Sequence, residues 1–236
     1  LGLNRPAAER YVEWMSNFLR GELGVSYTYS VPVVELLQER LFITIPLALL
    51  AMGLSVVIAF SLGIYAASHH NQRGDVLIMG ISQLGISIPN FWLALLLILL
   101  FAVNAGWFAS GGFPGWDAGL WPALKALMLP ALALATVQGA ILARFTRSAV
   151  LETLREDYVR TARAKGLTRR QTLWRHVLRN AMIPIVTVMG LQFANLLAGT
   201  IVVENVFSLP GIGRLVLQSI SNRDVVVVRD VVTLLV

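Results

Sequence analysis

Four long stretches of this chain contain no charged residue. Residues 41–67, 76–104, 126–143 and 180–203 lack Asp, Glu, Lys and Arg, in runs of 27, 29, 18 and 24 residues. The hydrocarbon core of a bilayer is about 30 Å thick and is crossed by roughly 20 apolar residues in a helix. Only 14% of all residues are charged and the mean hydropathy is +0.70, unlike an ordinary soluble domain. We therefore predict an all-α polytopic membrane protein with four complete spans.

The two ends of the sequence add an outer segment and a partial span. A fifth apolar stretch begins near Val225 and is interrupted by Arg229 and Asp230, six residues before the sequence stops. We expect a partial span there, an extracytoplasmic amphipathic segment at residues 1–40, and a single transmembrane domain at residues 41–236. The sequence opens on Leu and shows no signal peptide, so we expect a fragment trimmed at both ends.

Charge is concentrated in one connection between spans. The chain has a net charge of +6, and residues 144–179 hold ten of its nineteen basic residues against three acids. Lys and Arg near span ends favour the cytoplasm, so this segment and the turn at 68–75 are predicted inside. Residues 1–40, 105–125 and 204–224 are then outside. The basic segment lacks interleaved aromatic residues and is tethered between two spans, which argues against nucleic-acid binding.

The basic segment has the pattern of two short helices joined at a glycine. Thr168 and Gln171 have the spacing of a capping box, which predicts that a second helix starts there after Gly166. A lipid-bound interfacial helix and a docking element for another protein both fit such a pattern. The apolar or small positions predicted on the two faces are Leu151, Leu154, Tyr158, Val159 and Ala162, then Leu173, Trp174, Val177 and Leu178.

Several runs of this sequence carry a family resemblance. They read EDYVRTARAKGL at 156–167, RHVLRNAMIP at 175–184, VENVFSLPGIGRL at 203–215, FLRGELGVSY at 18–27 and LGLNRP at 1–6. Together they closely resemble binding-protein-dependent ABC importer permeases of the dipeptide/oligopeptide/nickel group. The resemblance implies a type I importer transmembrane-domain-like helical bundle in the bacterial cytoplasmic (inner) membrane, here without its first and last transmembrane helices.

In that family the basic segment is a coupling region that docks onto a separate ATPase. The positions implied in ATPase coupling are Tyr158, Arg160, Thr161, Ala162, Lys165, Gly166 and Leu167. The wider superfamily pattern is Glu-Ala-Ala, three residues, Gly, nine residues and then Ile-x-Leu-Pro. Anchored on Gly166, it is matched only at Ala162, Gly166 and Leu178. Arg160 stands where that pattern has an acid, so an acidic partner for it is expected on the ATPase. Gly166 is equally compatible with a plain helix-terminating glycine.

The implied function is the permease subunit of an ATP-binding-cassette importer for peptides or similar small solutes. The expected partners are a second permease subunit, cytoplasmic ATPase subunits, an extracytoplasmic solute-binding protein and membrane lipid. No phosphate-binding loop Gly-x-x-x-x-Gly-Lys-Ser/Thr is present, so ATP and Mg are expected on the partner ATPase, and no cofactor or metal on this chain. The uncharged spans argue against a proton-coupled or ion-coupled carrier. The residues leave open whether the solute is a dipeptide, an oligopeptide, a nickel chelate or a glutathione-like molecule.

Two other function classes compete with the importer. A passive channel or structural membrane subunit is the alternative, because uncharged spans say nothing about coupling. An intramembrane serine protease would need a histidine near Ser110, but His69, His70 and His176 all fall in predicted cytoplasmic segments. We therefore predict that the chain is not an enzyme.

The outer segments give two local expectations. Ser30 is predicted to cap a helix that has Pro32 in its first turn and leads into the first span. After a turn at residues 209–213, Leu215, Val216 and Ile220 have helical spacing, which suggests an outer gate, a docking surface or a plain loop. Neutral polar residues available in mid-span, without an assigned pathway role, are Ser82, Gln83, Ser87, Asn90, Gln138, Thr187, Gln192 and Asn195.

Overall fold

The computed structural model describes residues 5–235 and is built from helices. Ten α-helices run in chain order: α1 (Ala7–Leu19), α2 (Val33–Ser68), α3 (Arg73–Ser87), α4 (Asn90–Leu97), α5 (Leu120–Thr153), α6 (Asp157–Ala164), α7 (Arg169–Thr172), α8 (Leu178–Val206), α9 (Ile212–Ser221) and α10 (Val225–Leu235). Two π-helical stretches, Ile98–Asn104 and Leu173–Val177, extend α4 and join α7 to α8, and Trp116–Ala118 is a 3-10 turn. No β-strand occurs within the described range.

Between residues 5 and 235, three helical segments are long and apolar enough to cross a membrane. They are α2, α5 and the continuous segment Arg169–Val206, which combines α7, the π-helical turn and α8. Pro46, Pro130 and Pro184 lie inside these helices without ending them. Neighbouring helices can satisfy the backbone groups that a proline leaves free, which explains this tolerance in a bundle.

The second uncharged run differs from the straight span that the sequence predicts. α3 and the segment Asn90–Asn104 meet at a bend of 100°. Ile88 has extended backbone angles (φ −83°, ψ 124°) just before Pro89. A residue that precedes proline is pushed out of the helical region, which gives the bend a local cause. The run 76–104 is therefore a broken span or a re-entrant pair.

The centre of the bundle is the contact between α2 and α5. Two thirds of the most apolar part of α5 is buried, 67%, against 33% for α2 and 22% for Arg169–Val206. Small residues allow the close approach: a Cβ added at Gly63 would lie 2.7 Å from the carbonyl oxygen of Ala143, and one at Gly139 would lie 2.9 Å from Cγ2 of Ile58. Small residues at helix contacts are the usual solution inside membranes, where van der Waals packing drives association.

A second core forms where the N-terminal segment and the start of α2 meet α9 and α10, the last of which carries the predicted partial span. We call it the outer cluster. Its buried members are Leu23, Val33, Leu36, Leu37, Ile212, Leu215, Val216, Val226, Val227 and Val231. The predicted helix into the first span is present, since α2 begins at Val33 and continues to Ser68, but the predicted cap is wrong. Ser30 has a φ of 56° and Pro32 occupies the N-cap position, so the Ser30 side chain caps nothing.

Candidate coupling site

The predicted first cytoplasmic helix is two pieces. α5 continues to Thr153, the chain turns at residues 154–156, and α6 starts at Asp157. Glu156 has extended backbone angles (φ −64°, ψ 144°), while its carbonyl accepts from Val159 N–H at 3.1 Å and so opens a new helix. The expectation of one helix from Leu151 to Gly166 is therefore wrong, because the last turn of α5 supplies its first part.

Gly166 ends α6 with a left-handed residue. Its φ is 90°, a value that glycine adopts without the Cβ penalty of other residues. The N–H of Gly166 donates to the carbonyl of Arg163 and the N–H of Leu167 donates to that of Ala162, as at a common helix C-terminus. The interpretation as a helix-terminating glycine is confirmed. No heavy atom lies within 4 Å of the position a Cβ would take, so the corner is open to a partner.

The capping box that starts the second helix is present. The Thr168 hydroxyl accepts from Gln171 N–H at 3.2 Å, and the Gln171 side chain accepts from Thr168 N–H at 3.0 Å. We expected this second helix to be separate from the following span. Instead, α7 continues through the π-helical turn into α8 without a break. A movement of the corner at Gly166 would thus be passed to α8 without an intervening hinge between α7 and α8.

The inner face of this helix pair is fixed to the cytoplasmic ends of the spans. Val159, Val177 and Ala181 have no exposed surface, and they share a cluster with Ala67 and Val150 of α2 and α5. Segments predicted on the cytoplasmic side therefore meet at this end of the bundle, as the outer segments meet in the outer cluster.

The seven predicted coupling residues divide into two groups. Arg160, Thr161, Lys165 and Gly166 are exposed, and Tyr158 is 40% exposed. Ala162 is buried at 7% and Leu167 is half-buried, so these two support α6 rather than present an outer surface.

The exposed group offers weakly engaged cationic and polar side chains. Tyr158 accepts a hydrogen bond from Asn180 Nδ2 at 2.8 Å, which ties α6 to α8. Arg160 lies 3.3 Å from Asp157, but these side chains are 74% and 95% exposed. Such a surface pair contributes little to stability, so Arg160 is available to an acidic partner.

An ion pair that the sequence did not single out lies close to the coupling region. Arg147 of α5 donates from Nε and Nη2 to the two oxygens of Asp75, at 2.6 and 2.7 Å, and Asp75 is 2% exposed. Asn71 N–H donates to the same carboxylate at 2.9 Å. This bidentate contact fastens the turn before α3 to α5, with the added geometric specificity of the arginine fork. The signal in the sequence was an acid placed directly before an uncharged run.

A second polar centre joins three helices on the outer side. The carboxyl group of Glu204, in the last turn of α8, is fully buried. It accepts from the Thr44 hydroxyl at 2.6 Å and from Gly213 N–H at 2.7 Å. Thr44 in turn accepts from Ile212 N–H at 2.9 Å. α2, α8 and the start of α9 are thus linked through one carboxyl group. The carboxyl oxygens of Glu204 thus accept from a backbone N–H at the start of α9, where such groups lack partners within their own helix.

Asp224 holds the N-terminal segment against the connection between α9 and α10. Burial alone would raise the pKa of Asp224. Hydrogen bonds from the Ser26 hydroxyl at 2.5 Å, from Thr28 N–H at 3.0 Å and from Val227 N–H outweigh that effect, and the pKa lies below its ordinary value. Asp224 therefore binds the outer segments together as a carboxylate.

Comparison with known proteins gives consistent matches over most of the chain. A model of the family described as binding-protein-dependent transport system inner membrane component matches residues 59–228. The oligopeptide transport system permease protein of Bacillus subtilis is 39% identical over 226 residues, 94% of this chain and 72% of that protein. The glutathione transport system permease protein of Escherichia coli is 42% identical over 229 residues, 97% of this chain and 72% of that protein.

A solved structure shares the fold. The crystal structure of an amino acid ABC transporter with histidines matches with a TM-score of 0.60 at 18% identity, over 85% of this chain and 86% of that one. The predicted type I importer-like bundle is confirmed by this match. The relatives are permeases, which confirms that the chain is a permease subunit rather than an enzyme. The family match over more than half of the chain, with these identities, shows that the chain belongs to the inner membrane components of binding-protein-dependent transport systems.

Proposed function

We propose that this permease forms part of a pathway for peptides or similar small solutes, and that its α6 corner couples the pathway to a separate ATPase that binds ATP and Mg. Relatives named for oligopeptide and glutathione transport support the solute class. A solute-binding protein on the outer side and a second permease subunit complete the proposed assembly. The comparisons favour an importer over the passive channel that the sequence left open.

The observation that carries the coupling proposal is the contrast between the two faces of α6. Its inner face is anchored by Val159 in the cluster shared with α2, α5 and α8. Its outer face and the corner present Arg160, Thr161, Lys165 and Gly166 to the surroundings. A docking element that transmits movement needs both properties. An arginine and a lysine suit acidic groups on the partner, and the absence of a Cβ at Gly166 lets a partner backbone come close.

A second permease subunit has an exposed helix available to it. Only 22% of the most apolar part of Arg169–Val206 is buried within this chain. Ile183 and Leu191 of α8 are 70% and 66% exposed. Asn195 on the same helix is exposed and donates to Gln192 at 3.1 Å, while Gln192 itself is buried at 7% exposure. A partner of the same fold would cover part of this helix, and an exposed neutral group such as Asn195 would pass a solute without holding it tightly.

The coupling proposal is tested by affinity co-purification of the full-length protein in detergent, with ATPase activity measured on the product. Gly166→Trp should release the ATPase and reduce activity at least tenfold, because the bulky side chain occupies the docking corner. Gly21→Trp is the matched control: Gly21 is also exposed, has a φ of 82°, and has no heavy atom within 4 Å of its Cβ position. It lies on the outer side, so the ATPase should remain bound.

Two results would contradict the coupling proposal. Equal loss in both variants would point to general misfolding instead of a docking corner. If no ATPase co-purifies with the unchanged protein, the alternative function of a passive channel or structural membrane subunit would be favoured. The solute class is tested separately by uptake into proteoliposomes that contain the whole transporter, with labelled dipeptide, oligopeptide, glutathione and nickel chelate compared side by side.

A further inference from the structure

A cavity of about 680 Å³ opens at the cytoplasmic end of the bundle, beside the coupling helices but separate from their exposed corner. We call it the interface cavity. Residues of α2, α5, α8 and the π-helical turn line it. Its apolar wall is formed by Phe60, Ile64, Leu178, Met182 and Ile185. Trp174, 60% exposed, stands on the same lining, and tryptophan is the residue type that marks the boundary between lipid and water.

The charged part of this lining is entirely basic. Arg175 and Arg179 are its ionisable residues and are four positions apart, which places them on one side of the helix. Both are exposed, and the ion pairs found between residues 5 and 235 involve neither of them. Two unengaged guanidinium groups above an apolar wall match an anionic headgroup that carries an acyl chain.

A third observation is a polar group that lacks a partner. Thr146 of α5 lines the interface cavity and is fully buried, and its hydroxyl has no hydrogen-bond partner among the described residues. A buried hydroxyl without a partner is unfavourable, so such groups in native structures call for an explanation. The hydroxyl has no exposed surface, so it lies behind the wall of the interface cavity, and the features available to a ligand there are the two arginines and the apolar wall.

We propose that the interface cavity binds an anionic phospholipid of the cytoplasmic leaflet, with the phosphate at Arg175 and Arg179 and an acyl chain along the apolar wall. Basic pockets between transmembrane helices on this side of a membrane are suited to anionic headgroups. A bound lipid would fill the space between α2, α5 and the start of α8. It would thereby support the joint through which the coupling helices meet the spans.

The test measures binding of phosphatidylglycerol to the full-length protein in detergent by native mass spectrometry, and the shift it causes in thermal unfolding. Phosphatidylcholine and inorganic phosphate are the comparison ligands. In the double variant Arg175→Gln/Arg179→Gln, affinity for phosphatidylglycerol should fall about 30-fold, since each basic residue near an anionic surface contributes about fivefold. Arg169→Gln/Arg170→Gln removes the same charge from exposed positions outside the cavity and should retain most of the affinity.

A second variant tests the apolar wall of the cavity independently of its two arginines. Met182→Trp fills the apolar space and leaves both arginines in place, so phosphatidylglycerol binding should fall there too. Equal loss in the control double variant would reduce the effect to general surface charge and overturn the proposal. The proposal would also be overturned if phosphatidylcholine bound as tightly as phosphatidylglycerol, or if inorganic phosphate alone produced the full shift in thermal unfolding. If phosphatidylglycerol has no effect and Met182→Trp instead releases the second permease subunit, the cavity is a subunit contact and the lipid proposal is wrong.

Discussion

Replacing Gly63 by alanine should loosen the bundle at the close contact between α2 and α5. The added Cβ would lie 2.7 Å from the carbonyl oxygen of Ala143 and 2.8 Å from Cβ of Thr146. Ordinary contacts begin at 3.4 Å, so α2 and α5 must separate by about 0.7 Å at this point. Neither neighbour is the end of a flexible side chain, since one is backbone and the other a Cβ, so the backbone itself has to move.

The same helix contains a matched control. Gly53 also lies in α2, and nothing is within 4 Å of the position its Cβ would take. Gly53→Ala should be neutral or stabilising by up to about 1 kcal/mol, the difference in helix propensity between the two residues. Overpacking in a dense interior costs about 1–3 kcal/mol, which would act on Gly63→Ala alone. The difference between the two variants therefore isolates the close contact of α2 and α5.

The assay is thermal unfolding of the purified full-length protein in one detergent. A change of 1 kcal/mol shifts Tm by about 2–4 °C in a chain of this size, so Gly63→Ala should unfold at least about 2 °C below the unchanged protein. Gly53→Ala should unfold at or above it. If the two variants have the same Tm, the packing of α2 on α5 is not as close as the structure shows, and the reasoning is refuted.

Two further predictions concern the polar contacts at the two ends of the bundle. Arg147→Lys should lower the free energy of unfolding by about 1–3 kcal/mol, because a lysine cannot replace the bidentate contact with buried Asp75. Arg144→Lys, which alters an exposed arginine of the same helix, is the control. Faster proteolysis of the turn at 68–75 would report the loosening. The lowered pKa of Asp224 means that its contribution to stability is complete above the ordinary value of 3.8 and is lost as pH falls through the lower folded value. Hydrogen exchange in α9 and α10 should show no loss above about pH 4 and a loss as the pH is lowered from there to about pH 2. Asp224→Asn should remove this dependence, and a dependence that survives the change would assign it to another group.

The spans could be predicted because a single property decides them. Uncharged runs long enough to cross a bilayer lie within α2, α5 and α8. Segments that the charge of residues 144–179 predicts on the same side of the membrane meet at the same end of the bundle. The bend before Pro89 could not be predicted in the same way. Pro46 and Pro130 stand in comparable apolar runs and leave their helices intact. Ile88 adopts extended backbone angles before Pro89, whereas the residues before Pro46 and Pro130 stay helical, so the presence of a proline alone does not distinguish a bent span from a straight one.

Part of the coupling region could be predicted because it depends only on residues close together in the sequence. The capping box of Thr168 and Gln171 and the glycine end of α6 are set by residues three or four positions apart. The burial of Ala162 follows from how α6 packs on its own chain, so its exposure could not be read from the pattern. The contacts of Asp75 with Arg147 and of Glu204 with Thr44 join positions 72 and 160 residues apart, beyond the reach of local periodicity.

The buried carboxyl group of Glu204 restricts how the outer side of the pathway can open. The connection at residues 207–211 would serve as a hinge if α9 were held to α8 by the chain alone. Instead, turning α9 about that point would break the contacts of Glu204 with Gly213 and of Thr44 with Ile212, leaving their N–H groups and a carboxyl group without partners in a dry interior. Movement that keeps these hydrogen bonds carries α9 along with α2 and α8 as one body. In the proposed assembly with a second permease subunit, the outer helices would then form the rim of a rigid half rather than a flap.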